Sequence, residues 1–207
     1  MPEITGVRER RGKARVFVDG EFWAEIDAAV AAERGLREGI ALSGEELEEA
    51  RVAGERALAM ARGLNFLGYR ARSEKEVRDR LRRFGYGEET VGGVVGRLKE
   101  LGYLDDEDFA RLAAREQARR YGPRRVSAEL RRSGVDAELV QDAVEEAFAG
   151  GAESEQARYA AARRYNRGGA TAEARRVYGF LMRRGYSAEV CAEVAREYRE
   201  ASVEAEE

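Results

Sequence analysis

"VRDRLRRFGYGEETVGGVVGRL" at residues 77–98 returns in the same hydrophobic frame as "VSAELRRSGVDAELVQDAVEEA" at 126–147 and "VYGFLMRRGYSAEVCAEVAREY" at 177–198. Val77, Val126 and Val177 match, then Leu81, Leu130 and Leu181, then Arg83, Arg132 and Arg183. Gly85, Gly134 and Gly185 follow, spaced by 49 and 51 residues, and after them Glu89, Glu138 and Glu189. Each identity has a physical cause. Val and Leu four apart share one helix face and form its buried stripe. The glycine just beyond adopts the left-handed conformation that ends the helix, where a Cβ would clash. The glutamate falls in the first turn of the next helix, where the helix dipole favours an anion. A period near fifty residues is that of a helical repeat.

Working outward, the next helix of each copy buries Val91, Val94 and Leu98, then Val140, Ala143 and Ala147, then Cys191, Val194 and Tyr198. Ser73 with Glu76 forms a capping box, Gly122-Pro123 puts proline at a first helical position, and Thr171 caps the third copy. A further helix precedes each copy, at Val52–Phe66, Glu107–Arg119 and Glu155–Tyr165. The unit is therefore three helices in about fifty residues, too small to bury a core alone, so stacking on neighbours is expected.

Upstream the period changes to two. "ITGVRER", "KARVFV" and "EFWAEI" alternate around Arg11-Gly12 and Asp19-Gly20, which predicts a three-stranded antiparallel meander with a type I′ turn at Asp19-Gly20. A two-residue loop at Asp19-Gly20 sets Phe17 opposite Phe22 and Val16 opposite Trp23. "DAAVAAERG" reads as a short helix stopping at Gly35, and the capping box at Ser43–Glu46 opens a long one. The fold class is mainly α: three tandem three-helix repeats in an elongated, curved array behind a small N-terminal β domain. The expected domains are 1–50, 51–104, 105–150 and 151–207.

Composition narrows the chemistry. The 207 residues carry 37 Lys+Arg and 40 Asp+Glu, for a net charge of −3, whereas a strongly basic nucleic-acid binder shows a positive total. The excess is local: residues 53–104 hold eleven cations against seven acids. One cysteine makes no internal disulfide, and no apolar run has the length of a signal peptide or the ~20 residues of a membrane span. A soluble, cytoplasmic monomer with no membrane contact is expected. There is no histidine, hence neither the commonest general base nor the commonest metal ligand.

Cys191 occupies the slot of Val91 and Val140 and is read as core, not nucleophile. "DDEDFA" at 105–110 is read as an N-cap with acids in the first turn, not as a metal loop. "GGVVG" at 92–96 lies inside a helical period, and no phosphate-binding glycine motif occurs. No enzyme, catalytic residue, metal or cofactor is expected.

What remains is cationic. Arg70 and Arg72 precede the second helix of the first copy, and Arg78 and Arg82 share one of its faces. Arg119, Arg120, Arg124 and Arg125 surround Tyr121 at the equivalent loop of the second copy, and Arg163, Arg164 and Arg167 lie near that of the third. Salt bridges to Glu74, Glu76 and Asp79 would make the first group a solvated face. Recurrence of cations at one loop favours a partner-binding stripe instead.

"RARSEKEVRDRLRRFGY", "LKELGYLDDEDFA" and "YGPRRVSAELRRSGV", in that order, resemble the RecX family, regulators of the RecA recombinase, over residues 66–136. The third copy and the meander match more loosely. The resemblance implies binding in the helical groove of RecA filaments on single-stranded DNA. It also implies restraint of strand exchange, ATP hydrolysis and co-protease activity, by blocking filament growth or promoting disassembly. The partners so implied are the RecA filament and single-stranded DNA, the latter through the filament or weakly alone. A general helical DNA-binding module acting without RecA is the alternative.

Overall fold

The structure, a computed structural model, describes residues 1–165 and 174–204. The chain divides into two compact units, Met1–Leu104 and Asp105–Glu207.

The first unit opens with strands β1 (Ile4–Arg10), β2 (Lys13–Val18) and β3 (Glu21–Asp27), antiparallel and in the order β1-β2-β3. Asp19 and Gly20 have φ of 50° and 86°, the paired left-handed positions expected there, and Arg11 and Gly12, at 53° and 75°, turn the first hairpin the same way. Phe17 pairs with Phe22 as expected, but Val16 pairs with Ala24, not Trp23. Trp23 is the extra residue of a β-bulge. The inserted residue resets the alternation, so that Ala24 and Ile26 are buried with Val16 while Phe22 turns to solvent.

Asp27 caps helix α1 (Ala28–Glu33), accepting from the amides of Ala29 and Val30. Ser43 and Glu46 form the capping box of α2 (Gly44–Leu67). This helix lies on β3 through Gly54, whose Cβ, were there one, would fall 2.4 Å from Ile26 Cβ. Ile4, Ala14, Val16, Ala24, Ile26, Ala31, Leu36 and Ala50 form this part of the core. The second half of α2 belongs to the first repeat. Its Ala59 packs with Val77 and Leu81 of α3 (Glu74–Arg83) and with Val91, Val94, Val95 and Leu98 of α4 (Glu88–Glu100).

The second unit holds two such triplets: α5 (Asp106–Ala118), α6 (Pro123–Arg132) and α7 (Ala137–Ala147), then α8 (Ala152–Tyr165), α9 (Ala174–Arg183) and α10 (Ala188–Glu204). Val126 and Leu130 are buried with Val140 and Ala143, and Val177 and Leu181 with Cys191 and Val194. Ala147 and Tyr198, at the third position of the stripe, are partly buried. Asp105 caps α5 as expected, accepting from Glu107 and Asp108 amides, and Pro123 opens α6. Thr171 lies outside the described residues.

The repeated glycines have φ of 89°, 84° and 87°. Each donates its amide to a carbonyl three residues back, and the next residue donates to the repeated leucine: Tyr86 to Leu81 at 3.4 Å, Val135 to Leu130 at 3.3 Å, and Tyr186 to Leu181 at 3.3 Å. This is the Schellman ending, with an apolar residue after the glycine tucked under the helix it closes. The leucine, the glycine and the residue after it thus act together, which is why they repeat together.

Candidate partner-binding site

The cations singled out from the sequence fall into two electrostatic settings. Those of the first repeat have carboxylate neighbours. Arg70 Nη2 lies 2.6 Å from Glu76 Oε1, and Nη1 donates to the Ala71 carbonyl at 2.9 Å. Arg72 reaches the same carboxylate at 3.6 Å and lays its guanidinium 4.0 Å from the Phe66 ring centroid. Its side chain is 16% exposed, and burial holds its pKa below the ordinary arginine value. Arg78 Nε donates to Glu74 Oε1 at 2.7 Å, and Lys99 Nζ to Glu74 Oε2 at 2.9 Å. Arg82 donates to both oxygens of Glu88, at 2.6 and 2.7 Å. Hydrogen bonds from Lys99 and from Arg82 hold the carboxyls of Glu74 and Glu88 below the usual carboxylate range. The partners are those of a solvated, internally bridged face, with Glu88 added.

The second unit is different. Arg119 and Arg120 follow α5, Arg163 and Arg164 occupy the last turn of α8, and Arg184 follows α9. Together with Tyr159, Ala160 and Phe180 they line a cleft of about 340 Å³. None of these five arginines takes an ion pair among the described residues; Glu155, on the adjoining wall, bonds to none of them. Arg184 Nη1 donates to the Arg120 carbonyl at 2.8 Å and its guanidinium stands 4.8 Å from the Phe180 ring centroid. The Arg163 guanidinium lies 5.9 Å from the centroid of Tyr159, whose ring is 59% exposed. Arg124 and Arg125, in the first turn of α6, are exposed and also without ion pairs among the described residues. Arg125 stacks 4.0 Å from the Tyr121 ring centroid. Arg167 lies outside the described residues.

Backbone contacts join the two triplets at this point. Gly122 donates its amide to the Arg184 carbonyl at 2.9 Å and Arg124 donates to that of Gly185 at 3.0 Å. The start of α6 therefore receives carbonyls from the turn after α9, which fixes Arg120 beside Arg184.

Arg184, Tyr159 and Phe180 were not picked out from the sequence. One signal was present: Arg184 occupies the repeat position of Phe84 and Ser133, so it departs from the pattern where its neighbour Arg183 follows it. Unneutralised guanidinium groups within a Debye length, about 8 Å at physiological ionic strength, repel one another until an anion joins them. Their planar forks suit carboxylate or phosphate, and the Tyr159 and Phe180 rings add surfaces on which planar groups stack. Among the described residues there is no cluster of three or more Cys, Asp or Glu placed to hold a metal, and no helix long and apolar enough to cross a membrane.

A scaffold of tandem three-helix triplets carrying an arginine-lined, aromatic-walled cleft defines a helical-repeat protein with a candidate binding surface. Family models place it further: the first three-helix domain of RecX matches residues 59–98, the second 105–144 and the third 152–194. The chain belongs to the RecX family. The regulatory protein RecX of Lactobacillus gasseri is 33% identical over 150 residues, 70% of this chain and 55% of that protein. The chain thus spans little more than half the length of that relative. The regulatory protein RecX of Listeria monocytogenes serotype 4a is 27% identical over 202 residues, 95% of this chain and 75% of that one. A crystal structure of regulatory protein RecX superposes with a TM-score of 0.66 at 23% identity, covering 94% of this chain and 98% of the other. A second, RecX from Lactobacillus salivarius, gives 0.61 at 22% identity, covering 71% and 98%. Both show the same fold.

Proposed function

We propose that this chain is a regulator that binds the filament of RecA on single-stranded DNA and restrains strand exchange, ATP hydrolysis and co-protease activity. The observation that carries the proposal is the arginine cleft of the second unit, whose arginines take no carboxylate partner among the described residues, with Arg124 and Arg125 exposed on the adjoining start of α6. Membership of the RecX family supplies the direction, because the relatives bear the name of a regulatory protein. A filament presents acidic side chains and phosphates side by side, and arginine forks suit both. The first-repeat cations Arg70, Arg72, Arg78 and Arg82 contribute separately, by exchanging internal carboxylates for those of the partner. Repeats that engage successive filament subunits would add avidity to individually weak contacts. The protein then acts by occupancy, and RecA alone performs hydrolysis.

The test adds purified chain to RecA on single-stranded DNA and follows ATP hydrolysis. Inhibition at or below one chain per RecA is expected, and unchanged hydrolysis at equimolar protein removes the proposal. A second reading, a DNA-binding module acting without RecA, is favoured by the exposed rings among the arginines. It is separated by titrating naked DNA and filament side by side: equal affinity supports the second reading, and preference for filament supports the first. A net charge of −3 favours filament.

A further inference from the structure

The solvent face of the β-sheet carries a pattern that neither the repeats nor the cleft explains. Phe17 and Phe22 lie edge to face with centroids 6.0 Å apart. Arg8 stands 5.0 Å from the centroid of Phe17, and Arg15 stands 4.9 Å from that of Phe22. Arg8 and Arg15 are themselves opposite each other in the β1–β2 register. Like charges directly opposite across two strands weaken the pair that carries them. Arg8, Arg10 and Arg15 take no ion pair among the described residues. Two acids share this face: Glu25 stands opposite Arg15 in the β2–β3 register and lies 2.5 Å from Lys13 Nζ, whose hydrogen bond, with the Arg15 charge, holds its carboxyl below the usual range, and Asp27 caps α1. Phe22 is 51% exposed only because the bulge at Trp23 turns it away from Ala24 and Ile26. Without that extra residue, Phe22 would share the buried face of the strand. The sheet thus gives up burial of a large ring and accepts a repulsive arginine pair on one small surface.

We propose that this face is a stacking platform for single-stranded nucleic acid, with unpaired bases against Phe17 and Phe22 and phosphates on Arg8, Arg10 and Arg15. Arg8, Arg10, Lys13 and Arg15 outnumber Glu25 and Asp27 on this face, an excess that selects an anionic partner, and the exposed Phe22 ring beside half-buried Phe17 selects one that carries planar groups. Bases of a duplex are already stacked on their neighbours and do not reach the rings, so the strand must be single. Every base has a π-face, so the platform tolerates sequence. The assignment is independent of RecA binding and of the arginine cleft.

The experiment uses the full chain with fluorescein-labelled oligothymidylate, oligouridylate and a duplex of equal length. Anisotropy gives affinity, and the single tryptophan, Trp23, reports contact beside Phe22. Single strands are expected to change Trp23 fluorescence and to bind more tightly than duplex. The ratio of the two single strands tells DNA from RNA as the preferred source. Phe22→Ala is expected to weaken single-strand binding about tenfold, within the range for one lost stacked base, and Phe22→Trp to restore it. Arg8→Ala with Arg15→Ala is expected to reduce the slope of log affinity against log salt by about 1.4, for two phosphates on a single strand. Circular dichroism melting establishes that each variant is folded. A variant with Arg119, Arg120, Arg163 and Arg164 changed to Ala removes the cleft contribution and is expected to keep the dependence on Phe22. The proposal is overturned if folded Phe22→Ala binds single strands as the parent does, or if Trp23 does not respond. It is equally overturned if Phe22→Ala weakens binding to RecA alone, which would make the face a protein contact.

Discussion

Gly122 packs so closely on Tyr186 that a Cβ on the glycine would fall 2.4 Å from the tyrosine backbone nitrogen and 2.5 Å from the Gly185 carbonyl oxygen. The amide of Gly122 donates to Arg184 at the same contact. Here the second repeat touches the third backbone to backbone, and no side chain can yield to make room. Gly122→Ala is expected to destabilise the second unit by about 1–3 kcal/mol, the usual range for overpacking. Urea denaturation followed by circular dichroism measures it. An unchanged midpoint would show that the two turns separate without cost.

Arg70 and Arg72 share Glu76 but differ in what they would leave behind. Arg72 is largely buried against Phe66, whereas Arg70 is 52% exposed in its side chain. Truncating Arg70 to Ala is expected to change stability by no more than about 0.5 kcal/mol, the scale of an exposed pair. Arg72→Ala removes packing and a cation–π contact and is expected to cost about 1–2 kcal/mol. Thermal melts of the two single variants distinguish them, and equal losses would contradict the geometry.

Charge reversal at Arg119, Arg120, Arg163 and Arg164 removes four cations from the cleft without breaking an internal ion pair among the described residues. Folding is expected to survive, because all four side chains are exposed and no ion pair among the described residues is lost. Filament binding and inhibition of RecA are expected to fall at least tenfold, with a shallower dependence on salt. Reversal of Arg78 and Arg82 instead opposes Glu74, Glu88 and Asp79, so its first effect is expected on the melting temperature. Retained inhibition by the four-arginine variant would place the contact elsewhere.

Cys191 is buried, and desolvation pushes its thiol up to about 11 from an ordinary 9.0. Between those values the unfolded chain loses the proton that the folded chain keeps, so stability falls as pH rises. Below about pH 9 the contribution is complete; it is lost as pH passes through the folded value, by up to about 2 kcal/mol. Cys191→Val installs the residue found at positions 91 and 140 and is expected to flatten the decline between about pH 9 and 11. Tyr186, pushed up to about 12 by burial, adds its own decline from about pH 10 in both proteins, so the difference between them isolates the thiol. Melting temperatures of both proteins across the window provide the check; parallel curves would show that the thiol does not carry the effect.

Much of the scaffold could be read from local rules. The caps at Ser43, Ser73 and Asp105, the type I′ turn at Asp19-Gly20, the three Schellman glycines and the Val–Leu stripes each depend on residues within about one helical turn or one hairpin. Their chemistry is complete in the linear chain. The register of β3 was the exception: nothing local distinguishes a strand that passes straight through Phe22, Trp23 and Ala24 from one that bulges at Trp23. The choice belongs to the core, because Ala24 and Ile26, not Trp23, fit beneath α2 where Gly54 meets Ile26.

The recurrence of arginine at each repeat was likewise plain in the chain, but not its electrostatic state. Arg78 finds Glu74 one helical turn away, as spacing alone suggests, and Arg70 and Arg82 find Glu76 and Glu88 six residues on, across a helix start and a tight turn. Arg119, Arg120, Arg163, Arg164 and Arg184 come together only because the turn after α9 docks on the start of α6, a contact between residues more than sixty apart. By itself, then, the sequence determined a threefold helical repeat behind a β-meander and a supply of cations at its turns. Tertiary structure alone decided which cations stay unneutralised and which rings face water, because both depend on what the packed chain brings within a Debye length and what it seals away.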